Sequence, residues 1–160
     1  MYRITLIVTL LFLNACAVNK TPLFSYNEHL LSLEKRMSLC KEVQNEKITD
    51  NKTTGLSSDA LRAGIGYFYI RNSIACYKKE KSGMLIAAAR VVGDKNISEL
   101  IRYNAQLLID SYGSDQKIIS ETRVEFESLT ALEKEGLKKL TIALRPFNAI
   151  SAAEYFLNDD

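Results

Sequence analysis

Three observations predict an all-α fold, a compact bundle of six or seven short helices. Only two of the 160 residues are proline and seven are glycine, and the chain is rich in Ala, Leu, Lys and Glu, a composition that favours helix. Apolar residues recur at spacings of three and four, the repeat that gathers side chains on one helical face. Helix-start signals stand between the apolar segments: Ser57 or Ser58, Thr130 with Glu133 three residues on, and Asn148, each able to cap exposed backbone N–H groups.

The elements follow in order. A first helix is expected over residues 25–47, with Tyr26, Leu30, Leu33, Met37, Cys40 and Gln44 on one face. Residues 50–55 read as a loop. A second helix over 57–79 carries Leu61, Ile65, Phe68, Ala75 and Cys76 on one side and Ala63, Ile70, Ile74 and Tyr77 opposite; a helix apolar on both sides belongs at the centre of a fold. Residues 78–83 are expected to break it, so that 84–92 form a separate short apolar helix ended by Gly93. Asn96 and Glu99 resemble a capping box opening a helix whose broad face holds Leu100, Ile101, Asn104, Leu107, Leu108 and Tyr112, with Gly113 as its C-terminal cap. Residues 114–127 carry both a helical spacing (Ile118, Thr122, Glu125) and a strand-like alternation (Thr122, Val124, Phe126), and are read as helix. Thr130 and Glu133 open a helix stopped by Pro146, and Asn148 opens a last one ending near Leu157.

The chain begins differently. Arg3 precedes an apolar run over residues 4–13, followed by Leu13-Asn14-Ala15-Cys16. Ten residues make a helix of roughly 15 Å, about half the hydrocarbon thickness of a bilayer, which suits a signal h-region better than a transmembrane anchor. This order resembles the signal peptide and lipobox of bacterial lipoproteins, with Asn14 where that family carries a small or β-branched residue. The resemblance implies cleavage before Cys16, acylation of that cysteine by lipid chains such as palmitate, and, because Ala17 rather than Asp follows, sorting to the outer membrane. The organisation is then a signal peptide over 1–15, a lipidated tether over 16–24 and one helical domain over 25–160. The membrane is the first expected partner, through the lipid anchor. Export leaves Cys40 and Cys76, which in an oxidising compartment read as one disulfide between the first two helices, the alternative being two buried thiols.

Composition excludes some function classes. Of 21 basic side chains only Arg3 lies in residues 1–15, leaving 20 against 19 acidic ones, so no nucleic-acid partner is expected. There is no Gly-rich phosphate loop, no paired-cysteine zinc motif and no Gly-x-Ser-x-Gly in the sequence,. His29, the lone histidine, has no Cys or carboxylate one turn away and reads as a structural residue at the edge of an apolar face. Glu127-Ser128 resembles the catalytic dipeptide of lytic transglycosylases, but Leu129-Thr130-Ala131-Leu132 replaces the Gly-Leu-Met-Gln that follows in that family. Ala63-Gly64-Ile65-Gly66-Tyr67 resembles the core of a tetratricopeptide helix, yet Cys76 and Glu80 break the later positions and no second copy exists, so it reads as close helix packing. Arg90, inside an apolar segment, is expected to snorkel outward. No catalytic residue, metal ligand or cofactor is expected.

The expected function is that of a non-enzymatic, protein-binding lipoprotein at the periplasmic face of the outer membrane. Its architecture and address resemble those of pilotins, the small helical lipoproteins that assist secretion or pilus assembly. The expected binding residues are Tyr67, Tyr69, Tyr77 and Met84, which are amphipathic or adaptable; burial of all four in the core is the competing reading. The alternatives are a cell-wall-acting helical enzyme and an exclusion or immunity lipoprotein.

Overall fold

A computed structural model describes residues 21–50 and 55–158. The signal-like segment, Cys16 and most of the tether lie outside the described residues. Within them the fold is all-α, with no strand, five α-helices and one 3-10 turn: α1 (Pro22–Gln44), α2 (Ser58–Gly93), α3 (Glu99–Ser128), α4 (Ala131–Lys138), the turn Thr141–Ala143, and α5 (Ala149–Leu157). The bundle therefore has fewer and longer helices than the six or seven short ones expected.

Local chemistry accounts for most of the starts. Thr21 caps α1, its Oγ1 accepting from the Phe24 amide at 3.2 Å, and Pro22 occupies the first helical position, where its missing N–H costs nothing. Residues 22–24, expected in the tether, are thus the first turn of α1. Ser57 caps α2 through the Ala60 amide at 3.2 Å. Thr130 and Glu133 form a reciprocal capping box on α4, and Asn148 Oδ1 accepts from the Ile150 and Ser151 amides on α5. The expected Asn96–Glu99 box is absent. Ser98 is the N-cap of α3 without a side-chain bond, while Asp94 Oδ1 accepts from the Asn96 amide at 2.9 Å in the preceding turn.

The helix ends depart further from expectation. Residues 78–83 do not break α2, which runs unbroken through Gly83 to Gly93, about 54 Å at 1.5 Å per residue. Gly113 does not cap α3, which continues through residues 114–127 as helix to Ser128. The helix opened at Thr130 ends at Lys138, short of Pro146.

The long central helix organises everything else. Its N-terminal half packs Leu61, Ile65 and Phe68 against Phe126 of α3, Leu137 of α4, Ile142 of the 3-10 turn, Phe147, and Ala152 and Phe156 of α5. Its C-terminal half packs Met84, Ala87, Ala88 and Val91 against Tyr26 and Leu33 of α1 and Ala105 of α3. α1 and α3 both run antiparallel to α2. The inward face of α3 holds Ile101, Ala105, Leu108 and Ile109; Leu100, Leu107 and Tyr112, expected on that face, are exposed. Arg90 is exposed, pointing out of its apolar surroundings.

The C-terminal segment is bolted to α1 and α2 by polar contacts distant in sequence. The Cys40–Cys76 disulfide joins α1 to α2 with Cα atoms 6.1 Å apart. Arg145 donates to the Val43 and Lys47 carbonyls at 3.4 and 2.9 Å and to the Glu46 carboxylate, which ties the C-terminal segment to the end of α1 and the residues just after it. Asp50 accepts from the Thr141 amide and hydroxyl, capping the 3-10 turn.

Candidate functional site

A groove of about 420 Å³ lies between α2 and α3. Its existence follows from unequal packing along α2. Near Phe68 and near Met84 the two helices are joined by core residues. Between those clusters Ile70, Ile74 and Leu85 meet Ile119 and Tyr112 across an open channel. The rim carries Arg71, Lys78, Lys81 and Arg123, and no carboxylate of the described residues lines it.

The four cations are held differently. Lys81 pairs with the Asp115 carboxylate and lies 5.6 Å from the Tyr112 ring centre. The Arg71 guanidinium sits 4.7 Å over the Phe68 ring and donates to the Ala143 carbonyl and to Asn72 Oδ1, with no carboxylate partner among the described residues. Lys78 and Arg123 are exposed, and neither has an ion pair among the described residues.

The expected binding residues separate into three places. Tyr67 lines the groove, stacked on Phe126 with ring centres 4.3 Å apart. Tyr69 and Tyr77 line a smaller neighbouring pocket with Asp115 and Ile118; Tyr69 also meets Phe147 edge-on, and burial pushes the Tyr77 phenol above its ordinary value. Met84 is only 1% exposed and fills the core around α1 and α3. Met84 therefore points into the core, the competing reading for this residue, because its side of α2 faces Tyr26 and Leu33 of α1 and Ala105 of α3. The groove residues missed from sequence are the cations and the α3 wall. Arg71, Lys78 and Lys81 share spacings of three and four with Ile74, a signal hidden by treating 78–83 as a break.

The two residues weighed for catalysis are not brought together. The His29 ring lies over Gly83, whose Cβ, were there one, would sit 2.8 Å from His29 Nδ1. Glu127 is exposed at the end of α3 and pairs with Lys134 at 3.4 Å, while Ser128 Oγ donates to the Glu125 carbonyl. Glu127 adjoins Phe126, which packs on Phe68. Phe68 and Gly83 are 15 residues apart on α2, about 22 Å. The described residues hold no cluster of His, Cys, Asp and Glu suited to a metal ion, and no helix among them is long and apolar enough to cross a membrane.

No protein-family model, no curated protein and no solved structure matches this chain.

Proposed function

We propose that this chain is a lipoprotein anchored through Cys16 at the periplasmic face of the outer membrane, where it binds another protein through the α2–α3 groove without turnover. The observation that carries the binding half is the groove itself: an apolar floor left open between two packed cores, with Lys78 and Arg123 on its rim and without an ion pair among the described residues. A depression lined chiefly by apolar side chains with a few polar ones is the usual form of a binding site. The anchoring half rests on Leu13-Asn14-Ala15-Cys16 and on the distance to the fold. The N-cap Thr21 is five positions after Cys16, a reach of at most about 18 Å, which would hold the domain close to the lipid surface. An exclusion or immunity protein would use the same groove for a different partner.

Two experiments test the halves separately. Cys16→Ser should leave an uncleaved or soluble species; its recovery at the mature mass in the outer-membrane fraction overturns the anchor. Ala75→Asp and Tyr112→Asp place charge in the groove at exposed positions. They should abolish recovery of a partner crosslinked in intact cells while leaving the helical circular-dichroism signal unchanged. Undiminished recovery with both variants overturns the groove.

A further inference from the structure

The walls of the groove have the spacing of a coiled-coil seam. On α2 the long lining side chains Tyr67, Arg71, Ile74, Lys78, Lys81 and Leu85 stand at intervals of four, three, four, three and four, with Ile70, Ala75 and Ser82 lining the groove beside them. On α3 Tyr112, Gln116, Ile119 and Arg123 follow at four, three and four. Such a stripe stays on one face of a helix and presents holes into which the side chains of another helix fit. Two antiparallel helices with adjacent stripes thus form a cradle for a third. The α2 stripe spans 18 residues, about 27 Å, and the α3 stripe 11 residues, about 17 Å; three or more helical turns match that length.

The chemistry of the seam is one-sided. Basic side chains stand among apolar ones, and no carboxylate of the described residues lines the channel. Lys81 is neutralised by Asp115, whereas Arg71, Lys78 and Arg123 are not paired with any acid among the described residues. An apolar helix without charge would leave these cations facing nothing, and a basic helix would be repelled.

We propose that the occupant of the groove is an amphipathic helix of a partner protein whose apolar stripe is flanked by carboxylates, Asp or Glu, placed to meet Arg71, Lys78 and Arg123. The proposal rests on the groove being the partner site. It selects a helix over an extended strand because of the seam spacing, and an acidic helix over a neutral one because of the unpaired cations.

The test uses the full-length protein purified from membranes in a nonionic detergent. The probes are two labelled helical peptides of about three heptads, with identical Leu stripes and either Glu or Lys on the flanks. The acidic peptide should bind, weaken with added salt, and exceed the basic peptide by at least about tenfold in affinity. The exposed pair Lys78→Glu with Arg123→Glu should reverse that preference with an unchanged helical signal. Equal affinity for the two peptides, no binding of either, or a preference the double variant does not change overturns the acidic helix. So does binding only to vesicles containing phosphatidylglycerol, abolished by the same variant, which would make the occupant an anionic lipid. A photocrosslinker at Ile74 separates this proposal from the one beneath it. Crosslinking to a protein in cells, with no preference for the acidic peptide, overturns the acidic helix and leaves the groove as partner site. Loss of both overturns both.

Discussion

Leu137 rests on the bare backbone of Gly64: a Cβ built on that glycine would lie 2.5 Å from Leu137 Cδ2. Leu137 is fully buried, so its methyl groups would have to turn or shift within the packed core to admit a Cβ. Ala is worth about 1 kcal/mol over Gly inside a helix, and overpacking a tight core costs about 1–3 kcal/mol. Gly64→Ala should therefore destabilise the domain by roughly 1 kcal/mol net. Gly66→Ala, with nothing within 4 Å of its Cβ, should stabilise it by about 0.5–1 kcal/mol. Urea midpoints of the two variants check both signs. A stabilising Gly64→Ala would show that α4 is free to shift.

Removing the Cys40–Cys76 disulfide should be costly. It closes a loop of 36 residues, for which the chain-entropy model gives roughly 4 kcal/mol. The same cross-link sits beside Arg36, which donates to the Cys76 carbonyl at 2.7 Å, so α1 and α2 stay aligned in the folded state without it. Reduction, or Cys40→Ala with Cys76→Ala, should lower the melting temperature by roughly 10 °C while leaving the helical signal at room temperature. An unchanged melting temperature on reduction would contradict the bridge.

The capping box of α4 should be visible in a titration. Glu133 accepts from the Thr130 hydroxyl at 2.7 Å, the Thr130 amide at 3.0 Å and the Ser57 hydroxyl at 3.1 Å. These bonds, the Thr130 hydroxyl first, hold its carboxyl below the ordinary value of 4.5. A carboxylate whose folded value is depressed contributes stability above its unfolded value and loses it as the pH falls through the folded one. The Glu133 carboxyl carbon should therefore titrate below pH 4.5 by NMR, and Thr130→Val should move the midpoint up. Glu133→Gln should flatten part of the acid limb of the stability profile.

The sequence carried the caps more faithfully than the ends. Ser57, Thr130 with Glu133, and Asn148 act through bonds to residues two or three positions away, so their chemistry is local and legible. Gly83 lies in a stretch expected to break α2 and Gly113 at an expected C-terminal cap, and glycine costs helix propensity at both. That cost, about 1 kcal/mol each, is outweighed where neighbouring helices pack along the whole length. At Gly83 the missing side chain makes room for the His29 ring, a reason for glycine that no local pattern displays. The end of α4 at Lys138 depends on Asp50 capping Thr141 from 91 residues away. Pairing Cys40 with Cys76 was legible because both fall on apolar helical faces. The groove was not: it depends on how α3 lies against a helix that looked like two.

The last prediction concerns Asn72, the one buried polar side chain among the described residues. Its amide nitrogen donates to the Ile142 carbonyl at 2.9 Å and to the Arg145 carbonyl at 3.0 Å, while its oxygen accepts from Arg71 Nε. One side chain thus satisfies two carbonyls of the segment between α4 and α5, on the side of α2 that carries the groove cation Arg71. Asn72→Leu keeps the number and branching of heavy atoms and leaves both carbonyls without a donor, at about 1–3 kcal/mol for each group stranded; the expected loss is about 2 kcal/mol or more. Asn72→Asp should do worse at neutral pH, because it sets a carboxylate against two carbonyl oxygens. Protonating that carboxylate restores one donor, so its deficit should shrink on acidification, relative to Asn72→Leu under the same conditions. Gln106→Ala, which removes an exposed bond to Asp110, should stay within about 0.5 kcal/mol of the parent. Denaturant unfolding at two pH values separates these outcomes, and an Asn72→Leu variant as stable as the parent would mean that water or another donor serves those carbonyls.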